Sequence, residues 1–272
     1  MAPSRDEDDV ARRRRVQPVP DEPHPDAVFD PESAARPALA VWLAVGPVLG
    51  GLGVAGWLRL VNGVRHSYSL TWDGSAFAID VLLLLLFVVP HSLLARGFGR
   101  RLLNRPFGPG AERPLYVLVT GVTLCAMVFL WQDCGPLLWR WDGVMQVLFR
   151  IVQVAGLLLA SWGVLVVGAG HVAGLPHLRA LENGRTPPSS ELIALPPYAW
   201  IRQPVNLGMM MLLVGMTEVT PDRLLLMVVM GAWMLLVAPI EERDAELEFG
   251  EGYARYRRRT PRWFPRARGG ER

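Results

Sequence analysis

The sequence predicts an all-α polytopic membrane protein, a helical bundle of about six transmembrane helices with a cytoplasmic C-terminal helix. Three observations predict it. Hydrophobic residues make up 51% of the 272-residue chain and charged ones 19%. The charges gather at the two ends and in a few loops instead of spreading along the chain as they do in a soluble domain. Between them the apolar residues fall into runs, most of which reach the ~20 residues that a bilayer demands of a helix.

Residues 1–35 combine an acidic run from Asp6 to Asp9, an arginine run from Arg12 to Arg15 and many prolines. With almost nothing to bury, this segment is expected to be a disordered cytoplasmic tail. It lacks the short apolar region and small-residue cleavage site of a secretory signal, so it is expected to stay attached. The membrane domain then covers residues 36–265, and residues 266–272 form a flexible tail. Six apolar stretches lie near 37–61, 76–95, 114–132, 144–170, 204–219 and 222–240. The fifth is short and joins the sixth through Thr220 and Pro221, as in a tight hairpin in which one helix is tilted or spans only partly.

Within the first stretch, Gly51-Leu52-Gly53-Val54-Ala55-Gly56 matches the glycine pattern of dinucleotide-binding turns. That pattern needs a preceding strand and a βαβ unit, so here it reads as small residues that let membrane helices approach closely. Arginine sets the orientation. The tail, the 96–113 loop, the 173–202 segment and the C-terminus are arginine-rich and the intervening loops are not, which puts both termini in the cytoplasm. The net charge of +3 comes from these clusters, and beside apolar spans they meet lipid headgroups, not nucleic acid. The basic residues are all Arg, which carries no functional weight. Cys125 and Cys134 stand nine residues apart, ~13 Å along a helix, too far for a disulfide, and no metal-ligand spacing is present.

Ionisable groups at the ends of membrane spans are expensive and mark functional sites. His91 ends the second stretch, His171 the fourth, Arg202 precedes the fifth, and Glu241 with Glu242 ends the sixth. All fall on the cytoplasmic side, where one site can gather them. Asp80, Arg150 and Glu218 lie towards the other side and read as interfacial or packing residues. The proline-rich segment from His171 to Arg202 reads as a cytoplasmic loop with a short interfacial helix. Beyond Pro239 the acidic-then-basic order of charges predicts a helix that continues out of the membrane, in register with its own dipole.

The residues Tyr198-Ala199-Trp200-Ile201-Arg202-Gln203-Pro204-Val205-Asn206-Leu207-Gly208, followed by Glu241-Glu242, Phe249-Gly250, Tyr253 and Tyr256, resemble the isoprenylcysteine carboxyl methyltransferase superfamily. Its usual pattern is Y-x-x-x-R-H-P-x-Y-x-G, then E-E and F-G-x-x-Y-x-x-Y. The segments Pro90 to Arg96, Glu112 to Leu118, Trp131-Gln132 and Gly170-His171 resemble the branch containing methanethiol S-methyltransferase and NnrU-type proteins. The resemblance runs over about residues 75–265, with the methyltransferase-like motifs in 198–265.

It implies an integral membrane enzyme, expected in a bacterial cell membrane, that takes S-adenosylmethionine from the cytoplasm and methylates a small or lipophilic acceptor. Tyr198, Arg202, Gln203, Asn206, Glu241 and Glu242 would then surround the cofactor. His91 or His171 would accept a proton from a thiol, and Arg113 would lower a thiol pKa or hold a carboxylate acceptor. The chain departs from the pattern twice, with Gln203 for the motif histidine and Asn206 for the motif tyrosine. Two alternatives follow: a haem-binding NnrU-like or carotenoid-isomerase-like protein with His91 and His171 as axial ligands, or a non-catalytic membrane protein that kept the fold.

Overall fold

A computed structural model describes residues 36–63, 68–97, 99, 102–103, 110–185 and 191–265, and the tails expected at 1–35 and 266–272 lie outside the described residues. The described chain is a helical membrane protein. The first apolar run forms α1 (Pro37–Leu43) and α2 (Val45–Asn62), which together make one span. Next come α3 (Gly74–Leu94), α4 (Glu112–Phe129) and α5 (Gly143–Val167). Short helices α6 (Ala169–Val172) and α7 (Leu175–Glu182) follow, then α8 (Pro204–Val214) and the long α9 (Pro221–Arg259). Two-residue strands β1 (Trp139–Arg140) and β2 (Glu218–Val219) pair antiparallel.

Among the described residues, five helical segments are long and apolar enough to cross a membrane, against the six apolar stretches of the sequence. The exception is the fifth apolar stretch. Its helix α8 has 11 residues, ~16 Å of rise against a hydrocarbon layer of ~30 Å. The chain leaves α8 at Gly215 and pairs β2 with β1 before α9 begins at Pro221, which suits the first turn of a helix because it has no N–H to satisfy. Large apolar side chains such as Trp42, Leu82, Leu165 and Leu236 point outward over the bundle, as lipid contact requires. Inside, Trp57, Leu84, Phe87, Met127, Leu226 and Met230 belong to one core.

Small residues set the two tightest crossings. A Cβ at Gly46 would stand 2.8 Å from the Leu118 backbone nitrogen, and one at Gly53 would meet Leu124 at the same distance, so α2 lies directly on α4. Gly53 and Gly56 of the glycine-rich run thus serve packing. Between α5 and α8, a Cβ at Gly208 would come within 2.5 Å of the Gly156 carbonyl oxygen. Gly208 is the last residue of the motif around Arg202, so the backbone approach at this crossing fixes where that motif begins.

The chain's turn after α8 pairs with the α4–α5 loop through β2 and β1, and a buried polar network surrounds it. Glu218 takes ion pairs from Arg140 (3.1 Å) and Arg223 (4.0 Å), and Arg223 also donates to the Glu218 and Gly63 carbonyls. Gln153 Nε2 donates to the Val61 and Leu212 carbonyls, and Arg150 donates to Gln153 Oε1 at 2.6 Å. Asp80 accepts from the Gln132 backbone N–H (2.9 Å), and Asp222 from the Trp131 indole (3.1 Å). Asp80 and Glu218 are therefore buried network members, the packing alternative of the two readings. In hydrocarbon every such group needs a partner, and these residues supply the partners that a helix would have supplied.

The two glycine environments make a direct comparison. Gly208→Ala should lower the melting temperature in detergent by an amount matching the ~1–3 kcal/mol of overpacking. Gly231→Ala, on α9 with nothing within 4 Å of its Cβ position, should leave stability unchanged or raise it by ~0.5–1 kcal/mol. Equal effects of the two would show that the α5–α8 crossing is not tight.

Candidate functional site

Three helix ends and the middle of α9 meet at the end of the bundle away from the buried network. α3 brings His91, α4 brings Arg113 and Tyr116, α8 begins at the Gln203 cap and brings Asn206, and α9 brings Glu241 and Glu242. Pro90 lies one residue before His91, and Pro239 two residues before Glu241. Each removes one helix hydrogen bond just where its helix delivers a polar group.

The two adjacent glutamates face different neighbours. Glu241 accepts from Asn206 Nδ2 at 3.2 Å, and the same nitrogen donates to Gln203 Oε1 at 2.8 Å. The charge of Glu241 reaches both Tyr116 and Tyr198. Burial, and after it this carboxylate, raise the pKa of Tyr198 and keep its phenol protonated. Glu242 instead lies buried between two guanidinium forks. Arg202 reaches it through Nε (3.0 Å) and Nη2 (2.9 Å), and Arg262 through Nε and Nη2, both at 2.9 Å. Arg202 Nη1 then donates to the Arg257 and Thr260 carbonyls, so four of its five donors are engaged.

These contacts form a clasp. Gly250, at φ 54°, breaks the helical path of α9 in a backbone region that suits glycine, and the chain turns back beyond it. Backbone N–H groups of Arg202 and Gln203 donate to the Pro261 and Arg262 carbonyls, and the Tyr256 hydroxyl donates to the Tyr198 carbonyl at 2.7 Å. Segment 198–206 is thereby fastened to segment 256–262.

On the other side of Glu241, the half-buried His91 ring packs against Phe87, Tyr116 and Trp233, with centroids 5.2, 5.5 and 5.3 Å away. Its nitrogens meet hydroxyls: the Tyr116 oxygen lies 3.2 Å from Nδ1, and Thr120 Oγ1 lies 3.5 Å from it. Trp233 is held in place by its bond to Ser92 Oγ, 2.8 Å. The Arg113 guanidinium sits 5.4 Å from the Tyr116 ring centre and donates to the Val172 carbonyl. Next to Val172, His171 stacks edge-on against His177. Burial first, then the Arg113 and His171 charges, pull the His177 pKa down to about 4.

The structure thus brings His91, Arg113, Gln203, Asn206, Tyr198 and Glu241 to one place. It joins Arg202 to Glu242 as mutual partners, and puts His171 beside His177 at the Arg113 edge. Sequence reasoning missed three contributors: Arg262, which reads as one of a run of lipid-facing arginines; Tyr116, quoted only within a motif; and Trp233, which looks like any apolar residue of a span. The haem alternative finds no support: Phe87, Tyr116 and Trp233 pack around His91, and His171 stacks against His177.

The fold and site define a class: a polytopic helical membrane protein with a carboxylate, amide and aromatic site at one end of its bundle. Comparison with known proteins narrows it. The chain is 28% identical over 194 residues to methanethiol S-methyltransferase 2 of Bradyrhizobium diazoefficiens, covering 71% of this chain and 74% of that one. It is 29% identical over 203 residues to methanethiol S-methyltransferase of Pseudomonas deceptionensis, with the same coverage, and 27% identical over 205 residues to Nurim of Xenopus laevis, covering 68% and 71%. No protein-family model and no solved structure matches. These similarities bear out the resemblance to isoprenylcysteine carboxyl methyltransferase-like membrane proteins that the motifs carry.

Two predictions follow from the charges. Glu242→Gln strands both guanidinium groups and should destabilise the protein by ~3–5 kcal/mol, with faster proteolysis after Gly250. Arg262→Ala, a third exposed, should cost less than Glu242→Gln; equal melting temperatures for the two variants would remove the clasp. His177 stays neutral when folded down to about pH 4, whereas the unfolded chain protonates it near the ordinary histidine value of 6.5. Its contribution to stability is complete above that pH and is lost as pH falls towards 4. His177→Gln should flatten the acid-side fall in melting temperature across that window, and an unchanged pH profile would contradict the burial of His177.

Proposed function

We propose that this protein is an integral membrane S-adenosylmethionine-dependent methyltransferase acting on a small thiol, carboxyl or lipophilic acceptor, with its site and both termini on the cytoplasmic side. The observation that carries the reading is that the Gln203, Asn206 and Glu241 cluster lies close enough to the His91, Tyr116 and Arg113 group for the Glu241 charge to act on Tyr116. Relatives named methanethiol S-methyltransferase support the reaction class, and the arginine-rich loops support the sidedness.

The side chains present fit the donor. Glu241 can accept hydrogen bonds from an ammonium or a ribose hydroxyl, and the amides of Gln203 and Asn206 donate and accept. Tyr198 supplies an aromatic ring of the kind cations favour. Arg113 keeps donors for a carboxylate, whereas Arg202 is largely committed to Glu242 and braces the site with it. Asparagine and glutamine at the two departures from the motif are joined to each other and to Glu241, so they retain the polar contact without the aromatic face or titratable ring. The bound donor supplies an electrophilic methyl on a sulfonium, which needs little activation.

The chain's own contribution is alignment, exclusion of water and removal of the acceptor's proton. His91 or His171 takes that proton from a thiol, and Arg113 favours the thiolate or holds a carboxylate acceptor. The exposed apolar flanks of the spans leave lipophilic acceptors a route from the bilayer.

Calorimetric titration of the detergent-purified protein with S-adenosylmethionine should show saturable binding, and methanethiol should then yield dimethyl sulfide. Glu241→Gln should weaken donor binding ~10-fold or more, equivalent to ~1.4 kcal/mol. No saturable binding in the folded wild type would replace the enzyme reading with that of a non-catalytic relative, and unchanged affinity in the variant would remove Glu241 from the site.

A further inference from the structure

We infer that Arg96 and Glu241 together hold the two charged groups of the methyl donor's amino-acid head, the guanidinium taking its carboxylate and the glutamate its ammonium. The inference rests on the methyltransferase reading and adds to the site a residue that the sequence-derived set does not contain. It begins with how the arginines at this end are used. Arg202 commits four of its five donors to Glu242 and to the Arg257 and Thr260 carbonyls, and Arg262 binds the same carboxylate. Arg113 lies over the Tyr116 ring and donates to the Val172 carbonyl. Arg96 belongs to neither group. It lies two residues beyond α3, where the partial negative charge of a helix C-terminus suits a cation. Its ion pair among the described residues is with Asp244 of α9, at 3.9 Å and outside hydrogen-bond reach.

Asp244 follows Glu241 by three residues, a spacing that makes the two side chains neighbours on one helix face. The Arg96 guanidinium, set against Asp244, therefore borders Glu241 as well, and its charge acts on that carboxylate. The charge of Arg113 acts instead on Tyr116. Both members of the pair are within reach of a ligand from solution: Glu241 is exposed, and the Arg96 side chain is 30% exposed. Glu241 accepts from Asn206 through Oε2, and a carboxylate has room for about four hydrogen bonds in all.

The donor's head matches this pair in chemistry. Its ammonium and carboxylate are bonded to one carbon, so the groups that receive them must be adjacent and opposite in charge. A guanidinium fork takes a carboxylate through two parallel N–H donors, and an ammonium donates to a carboxylate. Asp244 is the other acid beside Arg96, but it lies ~4.5 Å further along α9 from Asn206 and Tyr116, at ~1.5 Å per residue. Its part is to steady the guanidinium without occupying the donors. Arg113 is then left for the acceptor.

The test removes each charge from the donor in turn. In calorimetric titrations of the detergent-purified wild type, decarboxylated S-adenosylmethionine, which keeps the ammonium, should bind ~10-fold or more weaker than S-adenosylmethionine. Arg96→Gln should lose ~10-fold or more for the full donor and bind the decarboxylated compound as the wild type does, so that the preference disappears. Glu241→Gln should keep that preference but no longer favour the donor over an analogue with a hydroxyl in place of the ammonium. Arg113→Gln should keep both preferences. The assignment is overturned, with the methyltransferase reading intact, if the wild type binds the donor equally well with and without its carboxylate. It is overturned in the same way by a carboxylate preference that survives in Arg96→Gln or vanishes in Arg113→Gln, or by an ammonium preference that survives in Glu241→Gln. Failure of the wild type to bind S-adenosylmethionine at all would instead overturn that reading itself. Should Arg96→Gln not fold, Arg96→Lys, which keeps the charge and loses the fork, decides: a loss confined to the full donor is expected, and any other pattern overturns the assignment.

Discussion

Glu242 is the point on which the site end of the molecule turns. A buried carboxylate is expensive unless its oxygens are filled, and here two guanidinium forks fill both. Because the forks come from Arg202 and Arg262, one carboxylate on α9 holds the segment entering α8 and the segment leaving α9 in a single arrangement. The neighbouring residue benefits. With Glu242 anchored and the helix turning by a fixed angle per residue, Glu241 is presented on a different side, towards Asn206, Tyr198 and Tyr116. An exposed carboxylate near aromatic rings is thus a product of the fully paired one beside it.

The same logic governs the opposite end. Since α8 is too short to cross, the chain turns after it, and the buried peptide groups and acids of that turn need partners from the protein. The pairing of β1 with β2, together with Gln153, Arg223 and Glu218, answers that need. Irregular backbone at membrane depth is tolerated only when enclosed by protein in this manner. The short helix in turn holds Gln203 and Asn206 at the correct height, because its length is set by tight contact of Gly208 with Gly156.

Much of this was legible in the sequence, for identifiable reasons. Long apolar runs declare spans, and a proline-rich polar segment between His171 and Arg202 cannot cross, which the short α7 and the irregular stretch after it bear out. The fifth stretch was recognisable as short, yet counting it as a span overlooked that Glu218 and Thr220 already belong to a turn. Convergence of His91, Gln203, Asn206 and Glu241 followed from their shared position at helix ends. Partner choice did not follow. Nothing in the order of residues says that Arg202 will spend itself on Glu242, or that Arg262 will join it from a run of similar arginines. Nor does spacing reveal that Asp80 pairs with a backbone group 52 positions away, since apolar neighbours give a buried acid and an interfacial one the same local signature.

The clasp through Arg262 also orders events during biosynthesis. The residues that close it are translated after the five described spans, so a nascent chain can insert these while Arg202 and Glu242 still lack their third member. Site assembly is therefore a late step, reached only by chains whose five spans have already been accepted by the membrane. Proteolytic nicking near Gly250, or a fusion that strains the segment after it, would return a mature molecule to that earlier condition without disturbing its insertion.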